Sequence, residues 1–280
     1  MKPARLRADI LAGLTTSFAL VPECIAFALV AHLNPLMGLY GAFIICTLTA
    51  LFGGRPGMIS GAAGSMAVVI VALVVQHGAQ YLLATVLLGG VLMILFGALR
   101  LGKLVRLVPY PVMLGFVNGL AIVIALAQLE HFKSGEQWLS GSPLYLMIGL
   151  VALTMLVVYV LPRLTRAVPP ALVGILGVGL LVYLLDLPTR TLGDMAHIAG
   201  GLPQLAWPDV PWTLETLKII APYALLMAMV GLLETLLTLN LTDEITESRG
   251  FPDRECVALG AANMVSGMCG GMGGCAMIGQ

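Results

Sequence analysis

Long apolar runs separated by short polar breaks dominate this chain, and the runs lack the every-second-residue alternation of a membrane barrel. A helix needs roughly 20 apolar residues to cross the hydrocarbon, where every backbone polar group must be satisfied within the protein. The pattern therefore predicts membrane-spanning helices over 10–30, 39–52, 59–75, 81–99, 107–126, 144–161, 170–185, 219–241 and 256–268. The first is expected to be interrupted at Pro22, since proline lacks the N–H that a helix interior needs. A tenth span is expected to begin near Cys275 and to be cut off at once, because the sequence stops at Gln280.

Charge tests the count and gives an orientation. With the N-terminus inside, the cytoplasmic segments carry Lys2, Arg5, Arg7, Arg55, Arg100, Lys103, Arg106, Arg163, Arg166, Arg249 and Arg254, and the outer ones only Lys133, Arg190 and Lys218. That split obeys the positive-inside rule, and losing one span would scramble it. The expectation is a multi-pass protein of the cell (inner or plasma) membrane with a cytoplasmic N-terminus and no cleaved signal peptide. Composition agrees: 59% of residues are hydrophobic and 10% charged, against about 25% charged in soluble domains. Zero net charge offers no basic surface, so no nucleic-acid partner is expected; the lipid bilayer is one. The five cysteines show neither metal spacing nor a disulfide framework, and only Cys275, inside a glycine run, is placed to line a site.

The polar stretch 188–212, ending Trp207-Pro-Asp-Val-Pro-Trp212, divides the chain, and its tryptophans suit a membrane-interface anchor. We assign 1–186 to a first repeat of seven spans, 187–215 to an extracytoplasmic connecting loop, and 216–280 to the start of a second repeat. Leu51-Phe-Gly-Gly54 followed by Gly57 to Gly64 is weakly echoed by Met268-Cys-Gly-Gly271 followed by Gly273 to Gly279. The first span with Glu23 likewise pairs with the eighth and Glu234. Seven helices, an odd number, precede the second copy and turn it upside down. In such inverted repeats the short or interrupted segments at matching positions point to the binding site.

Glu23 and Glu234 are the carboxylates lying well inside the predicted spans, and no Lys, Arg or His lies deep in any span to pair with them. A carboxylate in that position is expensive and marks function by default. It must be protonated or hold a cation, Na+ or H+. A protonated Glu bonding a neighbouring helix is the plain structural alternative. Thr238, one turn after Glu234, offers a hard-oxygen ligand beside the acid, unless its hydroxyl is spent on its own helix. Glycines around 55–65 make poor helix, so a helix beginning there turns free N–H groups toward mid-membrane with about half a positive charge. Two such ends, at Gly61 to Ser65 and at Gly274 to Met277, would hold an anion without Lys or Arg. Close packing by small residues is the competing use of the same glycines. Pro22-Glu23 is a third candidate, at the expected break.

Several stretches resemble the sulfate-permease (SulP) anion transporters: Asp9-Ile-Leu-Ala-Gly-Leu-Thr15, Val21-Pro-Glu-Cys-Ile-Ala-Phe-Ala28, Gly38-Leu-Tyr40, Ala50-Leu-Phe-Gly-Gly-Arg-Pro-Gly-Met-Ile-Ser60, Leu101-Gly-Lys-Leu104, Val108-Pro-Tyr-Pro-Val-Met-Leu-Gly-Phe-Val-Asn-Gly119 and 266–279. The resemblance covers essentially the whole chain. It implies an all-α polytopic membrane fold of seven-plus-seven inverted-repeat type, shared with nucleobase permeases and truncated here at the start of span ten, with no C-terminal STAS domain. It implies a core domain that holds substrate between half-helices three and ten and moves past a gate domain that dimerises. By that likeness Ala63, Gly64, Ser65, Met66, Gly274, Cys275, Ala276, Met277, Pro22 and Glu23 would bind substrate. Glu234 and Thr238 would hold the coupling ion, a Na+ being the metal implied there, and no other cofactor is expected. The chain departs from many relatives in having Glu23 after the proline, and from some in having Ala63 where they carry Thr.

The function implied is secondary active transport of a small inorganic or carboxylate anion (bicarbonate, sulfate or dicarboxylate), Na+- or H+-coupled, by elevator-like alternating access. A nucleobase permease on the same fold, and an uncoupled anion channel or exchanger, are the alternatives. An enzyme is not expected: no His-metal spacing, nucleophile elbow or phosphate loop is present.

Overall fold

The computed structural model describes residues 3–102, 110–134, 137–165, 170–189 and 201–277. Among the described residues the helices are α1 (Pro3–Val30), α2 (Pro35–Phe52), α3 (Gly64–His77), α4 (Ala79–Ala98), α5 (Tyr110–Gln128), α6 (Ser142–Leu164), α7 (Pro170–Leu184), α8 (Leu214–Thr246) and α9 (Pro252–Met268). Each coincides with one predicted span. Short strands β1 (Ser60–Ala62), β2 (Lys133–Ser134), β3 (Gln137–Trp138) and β4 (Gly274–Ala276), and a 3-10 turn, Leu129–Phe132, complete the described elements. Five helices, within α1, α2, α4, α6 and α8, are long and apolar enough to cross a membrane.

Local chemistry sets the ends. Asn34 caps α2 by accepting from the Leu36 N–H at 3.0 Å, with Pro35 just inside the helix start. Thr213 caps α8, accepting from the Thr216 N–H at 3.3 Å. That cap, six residues before the predicted span, starts α8 early, and the helix runs for 33 residues, beyond the predicted span at both ends.

One expectation is corrected. The first span is not broken at Pro22: α1 continues through it for 28 residues. Proline removes a single backbone bond, whereas unwinding would strand many polar groups in a medium that offers them no water. The span-three region does behave as its glycines imply. It starts as strand β1 and becomes helix only at Gly64.

The chain divides into two compact units, and the division falls within α1 and α5. One comprises Met1–Pro22 and Ile124–His197. There α6 and α7 pack where Gly174 leaves room for the Thr154 and Val158 methyls. The outward faces of this pair carry Tyr145, Met155, Tyr159, Leu180 and Tyr183, all exposed, as lipid-facing helices require.

The other unit comprises Glu23–Val123 and Ile198–Gln280. Its centre is the antiparallel packing of α4 against α9. A Cβ on Gly90 would lie 2.6 Å from the Gly260 carbonyl oxygen and 2.9 Å from the Met264 nitrogen, so the two backbones touch at that point. Around the pair, Ile45, Met66, Ile70, Leu82, Met227 and Leu259 are fully buried. The segment 201–213 is tied to the ends of three helices. The Tyr40 hydroxyl donates to Gly201 O at 3.0 Å, the Ala206 N–H to Met268 O at 2.6 Å, and the Asp209 N–H to Gln80 Oε1 at 3.0 Å. Trp207 and Trp212 sit together, ring centroids 5.5 Å apart and both exposed. The middle of the expected connecting loop, 190–200, lies outside the described residues, as do Lys103 and Arg106 of the orientation argument.

Candidate functional site

β1 and β4 come from the two matching glycine runs, and they meet. They pair antiparallel in the register Ser60–Ala276, Gly61–Cys275 and Ala62–Gly274. Every residue of both strands is buried. The crossing is close enough that a Cβ on Gly274 would collide with the Gly61 carbonyl, so the position tolerates only glycine.

An antiparallel ladder of this length bonds its residues alternately. The Met277 N–H donates to Ile59 O at 2.9 Å, which makes Gly61–Cys275 the next bonded pair and turns the N–H groups of Gly274 and Ala276 away from β1. Side chains receive them. The Gly274 N–H donates to Asn263 Oδ1 at 2.9 Å, and Asn263 Nδ2 donates back to Gly274 O at 3.0 Å. The Ala276 N–H donates to the Thr235 hydroxyl at 3.0 Å. Upstream, the Ser266 hydroxyl donates to Met272 O at 3.1 Å. Helices α8 and α9 thus hold β4 in place through side chains, compensating for its shortage of neighbouring strands.

Glu234 stands beside this crossing with 3% of its surface exposed. Its Oε2 accepts from the Ser65 hydroxyl, in the first turn of α3, and from the Cys275 thiol at 3.1 Å. Ser65 Oγ and Cys275 Sγ are themselves 3.9 Å apart. Both partners are neutral, and among the described residues no ion pair reaches this carboxyl. The α3 N-terminus next to it has Ala63 at its cap, with extended backbone and no side-chain cap bond. Its first-turn N–H groups are therefore not occupied by a cap, and they carry the positive end of the helix dipole.

The structure brings Ser65, Glu234 and Cys275 into one cluster, with Ala63, Gly64, Gly274 and Ala276 around the same crossing; Met66 is buried in the next α3 position. Met277 closes the ladder against Ile59. Thr238 is buried one turn below Glu234, but its hydroxyl donates to the Glu234 carbonyl at 2.8 Å. Its proton is committed to its own helix, and a lone pair stays available to a cation. Glu23 lies half-buried in α1. The next residue, Cys24, is buried, with its thiol 3.9 Å from Ala62 O of β1. Pro22 closes the other compact unit. The expected tenth helix is not seen up to Met277: the chain over Gly274–Ala276 is strand, and residues 278–280 lie outside the described part.

Two anchors escaped the sequence reading. Asn263, fully buried, was visible as an amide in an apolar helix and carried a signal that went unused. Glu255 is 1% exposed and lies just before the predicted ninth span; its Oε2 accepts from the Gly54 N–H at 2.6 Å. Nothing local to its sequence distinguishes it from an ordinary first-turn acid.

Comparison with known proteins gives a consistent picture. The profile of the sulfate permease family matches residues 6–280. A putative sulfate transporter of Bacillus subtilis, YbaR, is 46% identical over 98% of this chain and 56% of its own length. The bicarbonate transporter BicA of Picosynechococcus sp. is 29% identical over 96% of this chain and 51% of its own length. The chain thus spans about half the length of the curated relatives it matches. Among solved structures, the transmembrane domain of a cyanobacterium bicarbonate transporter BicA superposes with TM-score 0.78 at 29% identity, covering 99% of this chain and 76% of that one. The murine Solute Carrier 26 family member A9 anion transporter, in its inward-facing state, shares the fold at TM-score 0.73 and 16% identity, over 97% and 51%. The fold is that of these transmembrane domains, a seven-plus-seven inverted repeat.

Proposed function

Because the chain belongs to the sulfate permease family, we propose that it forms the site-bearing part of a secondary active transporter for a small inorganic or carboxylate anion, coupled to Na+ or H+. The observation that carries this reading is the buried Glu234 carboxyl facing Ser65 and Cys275, on the two repeat-related segments that meet at the β1–β4 crossing. An anion seated at the uncapped start of α3 would gain the helix dipole. It would also lie within a side chain's reach of Glu234, and two negative charges at such a distance repel strongly in a low-dielectric interior. A cation on Glu234, a proton or a Na+ ion, removes that repulsion. Anion and cation would therefore bind together, which is what coupled transport needs.

In this reading Ala63, Gly64, Ser65 and Met66 contribute the first half of the anion site, and Gly274, Cys275, Ala276 and Met277 the second. Glu234 and Thr238 hold the coupling ion, and Pro22 and Glu23 stay as proposed substrate-binding residues. Bicarbonate, sulfate and dicarboxylates are the substrate candidates, and the named relatives are a bicarbonate transporter and a putative sulfate transporter. Elevator-like alternating access is supported by the division into two compact units. The same reading includes a homodimer in the cell membrane, a cytoplasmic N-terminus, and a second repeat beginning near residue 216.

The test is reconstitution of the full-length protein in vesicles, with uptake of labelled bicarbonate, sulfate and succinate measured with and without a Na+ or pH gradient. Glu234→Gln keeps the size of the side chain and removes its negative charge. It should abolish gradient-driven uptake at normal expression. Gradient-driven uptake at the wild-type rate in that variant would remove Glu234 from the coupling role.

A further inference from the structure

We infer that Arg55 is a positioning residue for Glu234: it fixes the axial register of α8 against the segment that leads into β1 and α3. The inference rests on the coupling role proposed for Glu234, and concerns how that residue is held in place.

Arg55 lies in the linker between α2 and β1. Its side chain is only 5% exposed. It reaches across to the last turns of α8. Nε lies 3.3 Å from Asp243 Oδ1, Nη2 donates to Thr242 O at 3.1 Å, and Nη2 also donates to the Thr246 hydroxyl. Nε has no hydrogen bond of its own and meets Asp243 as an ion pair. Asp243 Oδ1 in turn accepts from the Gly250 N–H at 2.9 Å, which ties the turn after α8 to the same point. A planar guanidinium touching two turns of one helix fixes position along the axis, as a point charge would not.

The rest of the linker is held by α9 instead. The Gly54 N–H donates to Glu255 Oε2 at 2.6 Å, the Phe251 N–H to Gly54 O at 3.0 Å, and Arg254 Nε to Phe52 O at 2.9 Å. These bonds locate the linker, and the described hydrogen bonds and ion pair between the linker and α8 are made by the Arg55 side chain. From Asp243 back to Glu234 is nine residues, about 13 Å of helix at 1.5 Å per residue. From Arg55 forward to Ser65 is ten residues, through β1 into the first turn of α3. The Arg55 latch and the Ser65–Glu234 hydrogen bond therefore close the two ends of one frame. A slip of α8 by a single residue, about 1.5 Å, would break the second closure once the first is released.

The test reads register and transport separately in the full-length protein. For register, Ser65→Cys and Glu234→Cys are combined in a background with Cys275→Ala and the other native cysteines replaced. The rate of disulfide formation under a mild oxidant is then compared with Arg55 intact, with Arg55→Gln and with Arg55→Lys. The expected rates fall about fivefold for Arg55→Gln and less for Arg55→Lys, which keeps the charge and loses the fork. For transport, Arg55→Gln with native Ser65 and Glu234 should raise the half-saturating concentration of the driving cation about tenfold, as loss of one charge-assisted contact does, with the maximal rate kept within about twofold. Crosslinking at the wild-type rate in Arg55→Gln overturns the inference. Slower crosslinking with an unchanged half-saturating concentration upholds the positioning role and overturns the coupling role of Glu234. Should Arg55→Gln fail to accumulate, Arg55→Lys and Asp243→Asn carry the same two measurements, and wild-type crosslinking in both of them overturns the inference.

Discussion

Replacing Asn263 by alanine isolates the bond that holds β4 to the helices. The amide donates to Leu259 O and Gly274 O at 3.0 Å each and more weakly to Met93 Sδ at 3.6 Å, and accepts from the Gly274 N–H at 2.9 Å. The side chain is fully buried. Leu259 O lies four residues upstream on the same helix and keeps its backbone bond, so its loss matters little. The Gly274 N–H has no substitute, because the ladder turns it away from β1. A buried donor left without a partner costs about 1–3 kcal/mol, the lost acceptor at Gly274 O adds about 1 kcal/mol, and the small void adds a similar amount. The sum is about 3–5 kcal/mol. For a chain of this size, about 2–4 °C in midpoint per kcal/mol makes a fall of roughly 6–20 °C. Thermal unfolding of the detergent-solubilised protein, followed by loss of the monodisperse peak, measures it. Asn263→Asp keeps the acceptor for Gly274 but sets carboxylate oxygens against two carbonyls, so it should be at least as damaging. A midpoint within about 2 °C of wild type for Asn263→Ala would show that water or a shifted strand satisfies Gly274, and the anchoring role would fail.

Further substitutions test the helix packing and the Thr235 tie to β4. Gly90→Leu should abolish accumulation of folded protein, since its Cβ would sit 2.6 Å from Gly260 O and 2.9 Å from Met264 N, backbone atoms that cannot retreat; Gly149→Ala, with open space around it, should leave accumulation unchanged. Thr235→Val keeps the shape of the side chain and orphans the Ala276 N–H, so it should cost about 1–3 kcal/mol in the same melting assay and leave folded yield near normal.

How much of this was legible beforehand follows from what each signal depends on. The spans were legible because hydrophobic length is a local property set by bilayer thickness. All nine predicted spans correspond to helices, with edges displaced where caps such as Asn34 and Thr213 extend them. The non-helical start of span three was legible from its glycines, and Glu234 from the rarity of a carboxylate in that setting. Pro22 misled, because one missing N–H was weighed as a break when the surrounding medium makes a break more costly. The second half of the site misled differently. Gly274–Ala276 looked like a helix start and is a strand, since its partner, β1, lies more than two hundred residues earlier and leaves no local mark. Asn263, Glu255 and Arg55 went unassigned for the same reason: their partners Gly274, Gly54 and Asp243 are fixed by tertiary packing.

These long-range partners share an organisation that bears on how the crossing can work. Helix α8 carries Glu234 and Thr235 at the crossing and Asp243 and Thr246 toward its C-terminal end. It meets β1 and α3 through Arg55 and Ser65, and β4 through Thr235 and Cys275. The two repeat-related segments are therefore registered against one common helix as well as against each other. Their direct pairing spans only three register positions, too few to hold two segments alone, since isolated short ladders are marginal. It follows that displacement of α8 along its axis would separate Glu234 from Ser65 and Thr235 from Ala276 together. Alterations along α8, even two turns or more from Glu234, should then act on both strands at once, whereas loss of Asn263 should loosen β4 and leave the Arg55 and Ser65 contacts of β1 and α3 intact.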